Sequence, residues 1–472
     1  MRSARLHCIV SIRVAALAVS VALSAALFGP TACTRQATVD PEPDDLSGGG
    51  ISVKRMRVRQ TVSASTAGYW SSVSALDVSA ARSQATTVSQ RFFTDALGDL
   101  TDGNVTGAEV LFHSLIADPD PLLRGRARIG LTVSLNAQGK WQELAALTTE
   151  ARSDSNANLV DRAAVDAWAG VLRNVAPVEV DAPVRPQILP ILGSSVGTPI
   201  ISVLLNGHQH YFWLDTGASM TLISTDVASE SGVIPIAVDT LAIAAAQGRI
   251  AARPAVARVV QMGTITIRNL PVALLDPTAL RLDKRVANGR ILNVKLDGVI
   301  GSDVMRRLSV VLDMGAGTIA LAQPATHAPK LRSLIWIGFP VVRLLTRNGH
   351  PVLFGLDTGA DSTLVTDSWM DKTPDPELTA ATGSVDVLGA KHSGGLPVLR
   401  RVTVGDGDYV LRLGDVPIVQ ERRQTFVTLD GVLGADVLAH ATLHMDITNG
   451  IFAIRAPGVA PFPRDTGFVK VR

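Results

Sequence analysis

The downstream half of this chain is written twice, and that repetition limits its fold more than any other feature. Pro199-Ile200-Ile201 leads to Asn206-Gly207-His208 and then to Trp213-Leu214-Asp215-Thr216-Gly217-Ala218; Pro340-Val341-Val342 leads to Asn348-Gly349-His350 and then to Gly355-Leu356-Asp357-Thr358-Gly359-Ala360. In both copies the motif Asp stands nine residues after the turn Asn. Further on, Leu296-Asp297-Gly298-Val299-Ile300-Gly301-Ser302-Asp303-Val304 returns as Leu429-Asp430-Gly431-Val432-Leu433-Gly434-Ala435-Asp436-Val437. Asn-Gly between apolar runs signals a hairpin, and the β-branched runs between the motifs, such as Val259 to Ile267 and Arg401 to Leu413, read as strands. Each copy is therefore expected to be a compact, mostly β unit with a short helix after Gly301 or Gly434 and a closing hairpin, Leu308 to Leu321 or Thr442 to Arg455.

An Asp-Thr-Gly-Ala loop after an apolar strand, followed by two apolar residues and a Gly before a short helix, resembles a retropepsin-like aspartic protease, whose plan pepsin-type enzymes share. The resemblance covers about residues 186 to 460, and its specificity lies in the whole string occurring twice in one order. It implies that Asp215 and Asp357 are the catalytic pair, brought together inside one polypeptide as an intramolecular pseudo-dimer. Such chemistry needs two carboxyls sharing a proton, because the ionised one activates water while the neutral one donates to the scissile carbonyl. Carboxyls about 3 Å apart cannot both ionise, so the pair titrates as a unit. The resemblance further implies that Thr216 and Thr358 hydrogen-bond across the pseudo-twofold, and that Gly217, Ala218, Gly359 and Ala360 complete the two loops. Gly301 and Gly434 would pack beneath those loops.

Pepsin-like sites place a hydroxyl residue after the Gly, where Ala218 and Ala360 stand here. Losing a hydrogen bond that favours the carboxylate predicts activity at mildly acidic rather than strongly acidic pH. The substrate is expected to be an extended peptide or protein held as an added strand. The flaps over it are sought in Ala244 to Ala252, around Gln247-Gly248, and in Val387 to Leu396, around Gly389, Gly394 and Gly395. No metal or organic cofactor is implied.

Upstream, residues 61–176 carry helical spacing, with Ala108, Leu111, Phe112 and Leu115 on one face and Leu144, Leu147 and Ala151 continuing it. Asp118-Pro119-Asp120-Pro121 and Ala137-Gln138-Gly139 punctuate the region as turns. About one repeat of it resembles a tetratricopeptide-type hairpin, and a generic helical domain is the plainer reading. Residues 177–190 read as a Pro-rich linker, 191–325 and 334–460 as the two retropepsin-like copies, and 33–60 as a flexible tether. The first 32 residues have the form of an export signal: Arg2, Arg5 and Arg13, the apolar run Val14 to Phe28, then Gly29-Pro30-Thr31-Ala32 before Cys33. This resembles a bacterial lipoprotein leader, which implies lipidation at Cys33 and a periplasmic or outer-membrane-attached protein, with simple secretion as the alternative.

The balance of charge excludes other classes. Lys and Arg number 44 against 42 Asp and Glu, a net charge of +2 that gives no electrostatic reason to bind nucleic acid. The two cysteines, Cys8 and Cys33, leave no disulfide for a processed chain. Asp313-Met314-Gly315-Ala316 mimics the motif, but Asp313 follows Gly301 at the spacing by which Asp446 follows Gly434, so both belong to closing hairpins. Gly193-Ser194-Ser195-Val196-Gly197 has the serine-hydrolase elbow string but precedes a strand. The histidines lack metal-ligand spacing, and Asp303 and Asp436 are expected to flank their short helices. A duplicated protease fold could also serve as an inactive peptide-binding or scaffold protein, since a fold does not fix a function.

Overall fold

The computed structural model describes residues 11–12, 51–60, 68–151, 162–192, 199–245, 248–285, 291–325, 332–360, 362–372, 378–380, 385–387, 390–392, 397–420 and 426–456. The leader apart from residues 11–12, Cys33, the Asp40–Gly50 stretch and Gly193–Gly197 lie outside them, as do residues 326–331 between the two copies. No helix among the described residues is long and apolar enough to cross a membrane.

Among the described residues, seven helices lie in the N-terminal region: α1 (Tyr69–Ser74), α2 (Val78–Gln84), α3 (Val88–Thr101), α4 (Val105–Leu115), α5 (Pro121–Gln138), α6 (Trp141–Ala151) and α7 (Arg162–Leu172). Local chemistry sets their ends. Thr87 closes a capping box with Gln90 at the start of α3, Asp120 accepts from the Leu122 amide (2.9 Å) ahead of Pro121, and left-handed Gly139 ends α5. Ala108, Phe112 and Leu115 are buried as their spacing predicts, and the Phe93 and Phe112 rings meet edge to face at 5.4 Å.

Each copy folds as a barrel-like sheet. In the first, the strand order is Glu179–Asp181, Ile265–Leu275, Leu222–Ser224, Gly298–Ile300, His208–Leu214, Ile200–Leu205, Gly248–Met262 and Leu241–Ala245, and Ile265–Leu275 also pairs with Gly248–Met262 to close it. The second repeats the plan, with Pro351–Leu356 parallel to Gly431–Leu433 as His208–Leu214 is parallel to Gly298–Ile300. Asn206 and Gly207 both take positive φ (50° and 92°), as a two-residue hairpin between right-twisted strands requires.

A third sheet joins the copies, in the order Ile451–Arg455, Thr442–Asp446, Ser309–Asp313, Thr318–Ala322, Gln187–Pro190. Ser309 lies opposite Asp446 and Asp313 opposite Thr442, the antiparallel register that an approximate twofold between equivalent hairpins demands. Asp313 accepts from the Ala316 amide (2.9 Å) and Asp446 from the Asn449 amide (3.0 Å), so both serve turns.

Two segments expected to be connecting chain are strands. Within 177–190, Glu179–Asp181 pairs with Ile265–Leu275 and Gln187–Pro190 with Thr318–Ala322. Ser52–Arg55, inside the expected 33–60 tether, lies antiparallel on Tyr409–Val419. In each case an open sheet edge supplies the partners, and one or two apolar side chains (Val180, Leu189; Ile51, Val53) pack on the core.

Candidate active site

The chain reaches each motif Asp along a buried strand and then turns sharply. Phe212, Trp213 and Leu214, and their counterparts Phe354 and Leu356, are buried, so the polar residues that follow are delivered into an apolar interior at the junction of the barrels. The Asp215 amide donates to the Ile300 carbonyl (3.0 Å) and the Asp357 amide to that of Leu433 (3.0 Å), fixing where each loop leaves its sheet. Val299, Ile300 and Leu433 are buried beneath.

The two loops are locked by a crossed set of hydrogen bonds. The Thr216 amide donates to Thr358 Oγ1 (3.0 Å) and the Thr358 amide to Thr216 Oγ1 (2.9 Å). Each hydroxyl in turn donates across the boundary, Thr216 to the Leu356 carbonyl and Thr358 to the Leu214 carbonyl, both at 2.8 Å. The amide and hydroxyl of both threonines are thereby paired in a dry place, where an unpaired one would be costly.

This lock brings Asp215 and Asp357 face to face, hydrogen-bonded to each other and hidden from solvent, with exposures of 1% and 9%. Asp215 Oδ1 accepts from the amides of Gly217 (2.8 Å) and Ala218 (3.2 Å), and Asp357 Oδ1 from those of Gly359 (2.9 Å) and Ala360 (3.0 Å). A Cβ on Gly217 would sit 2.4 Å from Asp357 Cγ, and one on Gly359 would sit 2.5 Å from Asp215 Cγ. Each glycine is thus the space that the opposite carboxyl occupies. All eight residues expected in the site, Asp215, Thr216, Gly217, Ala218, Asp357, Thr358, Gly359 and Ala360, meet there.

Burial raises the pKa of both carboxyls. For Asp215, which goes well above the ordinary range, the charge of Asp357 adds to burial; for Asp357 burial is opposed by amide hydrogen bonds and by the Asp215 carboxyl. Two such carboxyls in one dry place cannot both ionise readily, so they titrate as a pair.

Two residues that support the loops, Thr221 and Thr363, escaped the sequence reading, and Asp303 and Asp436 do more than was expected of them. Asp303 accepts from Thr221 through both its amide (3.0 Å) and its hydroxyl (2.9 Å), and Asp436 does the same with Thr363 (2.9 and 2.7 Å). These carboxyls therefore do more than flank short helices: they tie the loop after each Asp-Thr-Gly to the chain beyond Gly301 or Gly434. The signal was present, since a Thr stands six residues after each motif Asp and an Asp two after each of those glycines. Gly301 and Gly434 pack against the loops as expected; a Cβ there would meet the Ala218 carbonyl at 2.8 Å or that of Ser362 at 2.8 Å.

Both expected flap regions contain two-stranded hairpins. Leu241–Ala245 pairs with the start of Gly248–Met262, and Val385–Val387 with Ala390–His392. Residues 246–247, 388–389 and 393–396, including Gln247, Gly389, Gly394 and Gly395, lie outside the described residues. Among the described residues no group of three or more His, Cys, Asp or Glu is placed to hold a metal ion.

Residues 201–304 match the family model described as "Aspartyl protease". The matched segment contains Asp215 and ends before Asp357, so the second loop is read from the repeat and from its geometry. A retropepsin-like aspartic protease from Rickettsia conorii is similar at 16% identity, over 31% of this chain and 93% of that one, with a TM-score of 0.21. An aspartic proteinase from Irpex lacteus is similar at 14% identity, over 58% of this chain and 98% of that one, with a TM-score of 0.36. No curated protein matches the chain.

Proposed function

We propose that this chain, an aspartic-type peptidase by the family match of its first barrel, is an endopeptidase that hydrolyses extended polypeptides with one Asp from each tandem copy. The observation that carries the reading is the meeting of Asp215 and Asp357 across the crossed threonine bonds, each carboxyl seated against the other copy's glycine.

The division of labour follows from the shared proton. Whichever of Asp215 and Asp357 is ionised takes a proton from a water whose oxygen attacks the scissile carbonyl carbon, while its protonated partner gives a proton to the carbonyl oxygen. The resulting gem-diol collapses as the carboxyl that took the water's proton passes it to the amine nitrogen, one diol hydroxyl gives its proton to the other carboxyl, and the C–N bond breaks, leaving a new carboxyl, a new amine and the pair with its one proton again. The dry floor of Val299, Ile300 and Leu433 strengthens every electrostatic contact in the pair. An extended substrate would lie between this floor and the hairpins of Leu241–Met262 and Val385–His392.

The leader sequence supports a further part of the proposal: export, lipid attachment at Cys33, and residence in the periplasm or on the outer membrane. Metabolic labelling with a palmitate analogue tests it, since Cys33→Ala would abolish the label; equal labelling of the variant would refute it. The peptidase itself is tested by incubating an unfolded protein with the full-length chain between pH 4 and 7. New amino termini that appear with wild type and vanish with Asp357→Asn support the reading. A folded wild type that produces none refutes it.

A further inference from the structure

The helical domain does not stand apart from the barrels. Arg343 donates to the Leu76 carbonyl beyond α1 (2.9 Å), Arg306 donates to the Ala137 carbonyl near the end of α5, and the Thr428 amide donates to Ser74 (2.9 Å). Phe93 of α3 also meets Phe426 edge to face at 6.0 Å. Positive side chains on carbonyls at helix C-termini are favourably placed, so this is a docked domain and not a tethered one.

Its last helix ends on the first flap. The α7 side chains Trp168 and Leu172 are buried, and the Trp168 indole N–H donates to the carbonyl of Ala242, in the edge strand Leu241–Ala245 (3.2 Å). Both belong to a small apolar cluster, separate from the main core, that also contains Ile243 and Ala252 from the two strands of the hairpin and Ala218 and Leu222 from the active-site loop and the strand after it. One helix of the N-terminal domain therefore shares an apolar cluster with the hairpin and the Asp215 loop.

We propose that Trp168 is a positioning residue that holds the first flap at its working height over the Asp pair, so that the helical domain sets the geometry of that half of the cleft. The inference rests on the peptidase reading for what the hairpin covers. The contact is made at the base of the hairpin, where Leu241 pairs with Ala252 and Ala242 with Ala251. Lifting the hairpin must break the indole hydrogen bond and expose Ile243 and Ala252. The second hairpin, Val385–Val387 with Ala390–His392, pairs with no other strand among the described residues, which makes it an internal reference.

The test uses the full-length chain with Trp168→Ala and Trp168→Phe, the latter keeping an aromatic ring while removing the N–H. Hydrogen exchange of peptides covering residues 241–252 is expected to quicken by about tenfold or more in Trp168→Ala and by a smaller factor in Trp168→Phe, with 385–392 unchanged. On a peptide substrate KM is expected to rise about three- to tenfold while kcat stays within about twofold, because the Asp pair is untouched. Unchanged exchange at 241–252 in both variants overturns the proposal. So does faster exchange spread across α1 to α7 in Trp168→Ala with no local change in Trp168→Phe, since that is the result of a merely structural helix. If wild type cleaves nothing, the peptidase reading fails, whereas the exchange comparison still decides whether Trp168 restrains the hairpin.

Discussion

Replacing Thr216 by Val keeps the shape of the side chain and removes one hydroxyl, and the structure specifies what that hydroxyl does. It donates to the Leu356 carbonyl (2.8 Å) and accepts from the Thr358 amide (2.9 Å), and Thr216 and Thr358 are both buried, at 0% and 1% exposure. Water has no route to the two groups that would be orphaned. An unsatisfied buried polar group costs about 1–3 kcal/mol, so Thr216→Val should lose about 2–6 kcal/mol of stability. With a urea slope of about 3 kcal/mol per M, the midpoint of the transition that includes the barrels falls by about 1–2 M. Thr216→Ser keeps the oxygen in place and should stay within about 1 kcal/mol of wild type. Thr358→Val should match Thr216→Val, because its hydroxyl makes the mirror-image bonds to the Thr216 amide and the Leu214 carbonyl. Proteolytic rate should fall in the valine variants by about a hundredfold even where they remain folded, since the threonines set the carboxyl-to-carboxyl geometry. Urea unfolding and initial rates on one peptide read all four outcomes. A Thr216→Val chain as stable and as active as Thr216→Ser would refute the claim that the crossed bonds lock the site.

Further consequences concern charge and space. Asp215 has a raised pKa in the folded chain, so its contribution to stability is fully present below the unfolded value of about 4 and is lost as pH rises through the folded value. Asp215→Asn should accordingly raise the melting temperature at pH 7, with the gain shrinking to nothing below about pH 4; a gain that grew on acidification would contradict this. Gly217→Ala must displace the Asp357 carboxyl, its Cβ lying 2.3 Å from Oδ1, and should reduce kcat by about a hundredfold or more on a continuous peptide assay. Ala360 offers only its amide to Asp357, so activity should peak at mildly acidic pH, and Ala360→Ser, by adding a hydroxyl donor, should move the acid limb of the rate profile downward. A wild-type optimum below about pH 3, where the lower pepsin-type value operates, would refute the reasoning from Ala218 and Ala360.

The site was legible in sequence because its residues are fixed by local requirements that repeat. Asp, Thr and Gly recur in one order, and the glycines stand where a side chain would collide with the opposite carboxyl. The Asn206-Gly207 turn was legible for a similar reason, since its positive φ angles select those residues. In the second copy Asn348 and Gly349 fall in a longer connection between Pro340–Thr346 and Pro351–Leu356, where only Gly349 has positive φ (81°). What escaped depends on distant partners. Glu179–Asp181 and Gln187–Pro190 carry prolines around them and little alternation, and they become strands because open sheet edges lie where the chain passes. Asp303 and Asp436 read as helix-flanking acids because their short helices are local, whereas Thr221 and Thr363 lie some 80 and 70 residues away. The seating of Trp168 on Ala242 left no pattern in the sequence, because a helix shows which face is apolar and not what will cover it.

In this reading one chain supplies both halves of a single site. Full-length wild type, Asp215→Asn, Asp357→Asn and an equimolar mixture of the two variants should be compared for cleavage of an unfolded protein between pH 4 and 7. Wild type should cleave, each variant should be inactive while folded, and the mixture should be inactive too, because every chain then carries one defective carboxyl beside its good one. Recovery of cleavage in the mixture would show that the first copy of one chain pairs with the second copy of another, and cleavage retained by either single variant would show that like copies pair between chains or that the two carboxyls do not act as a pair.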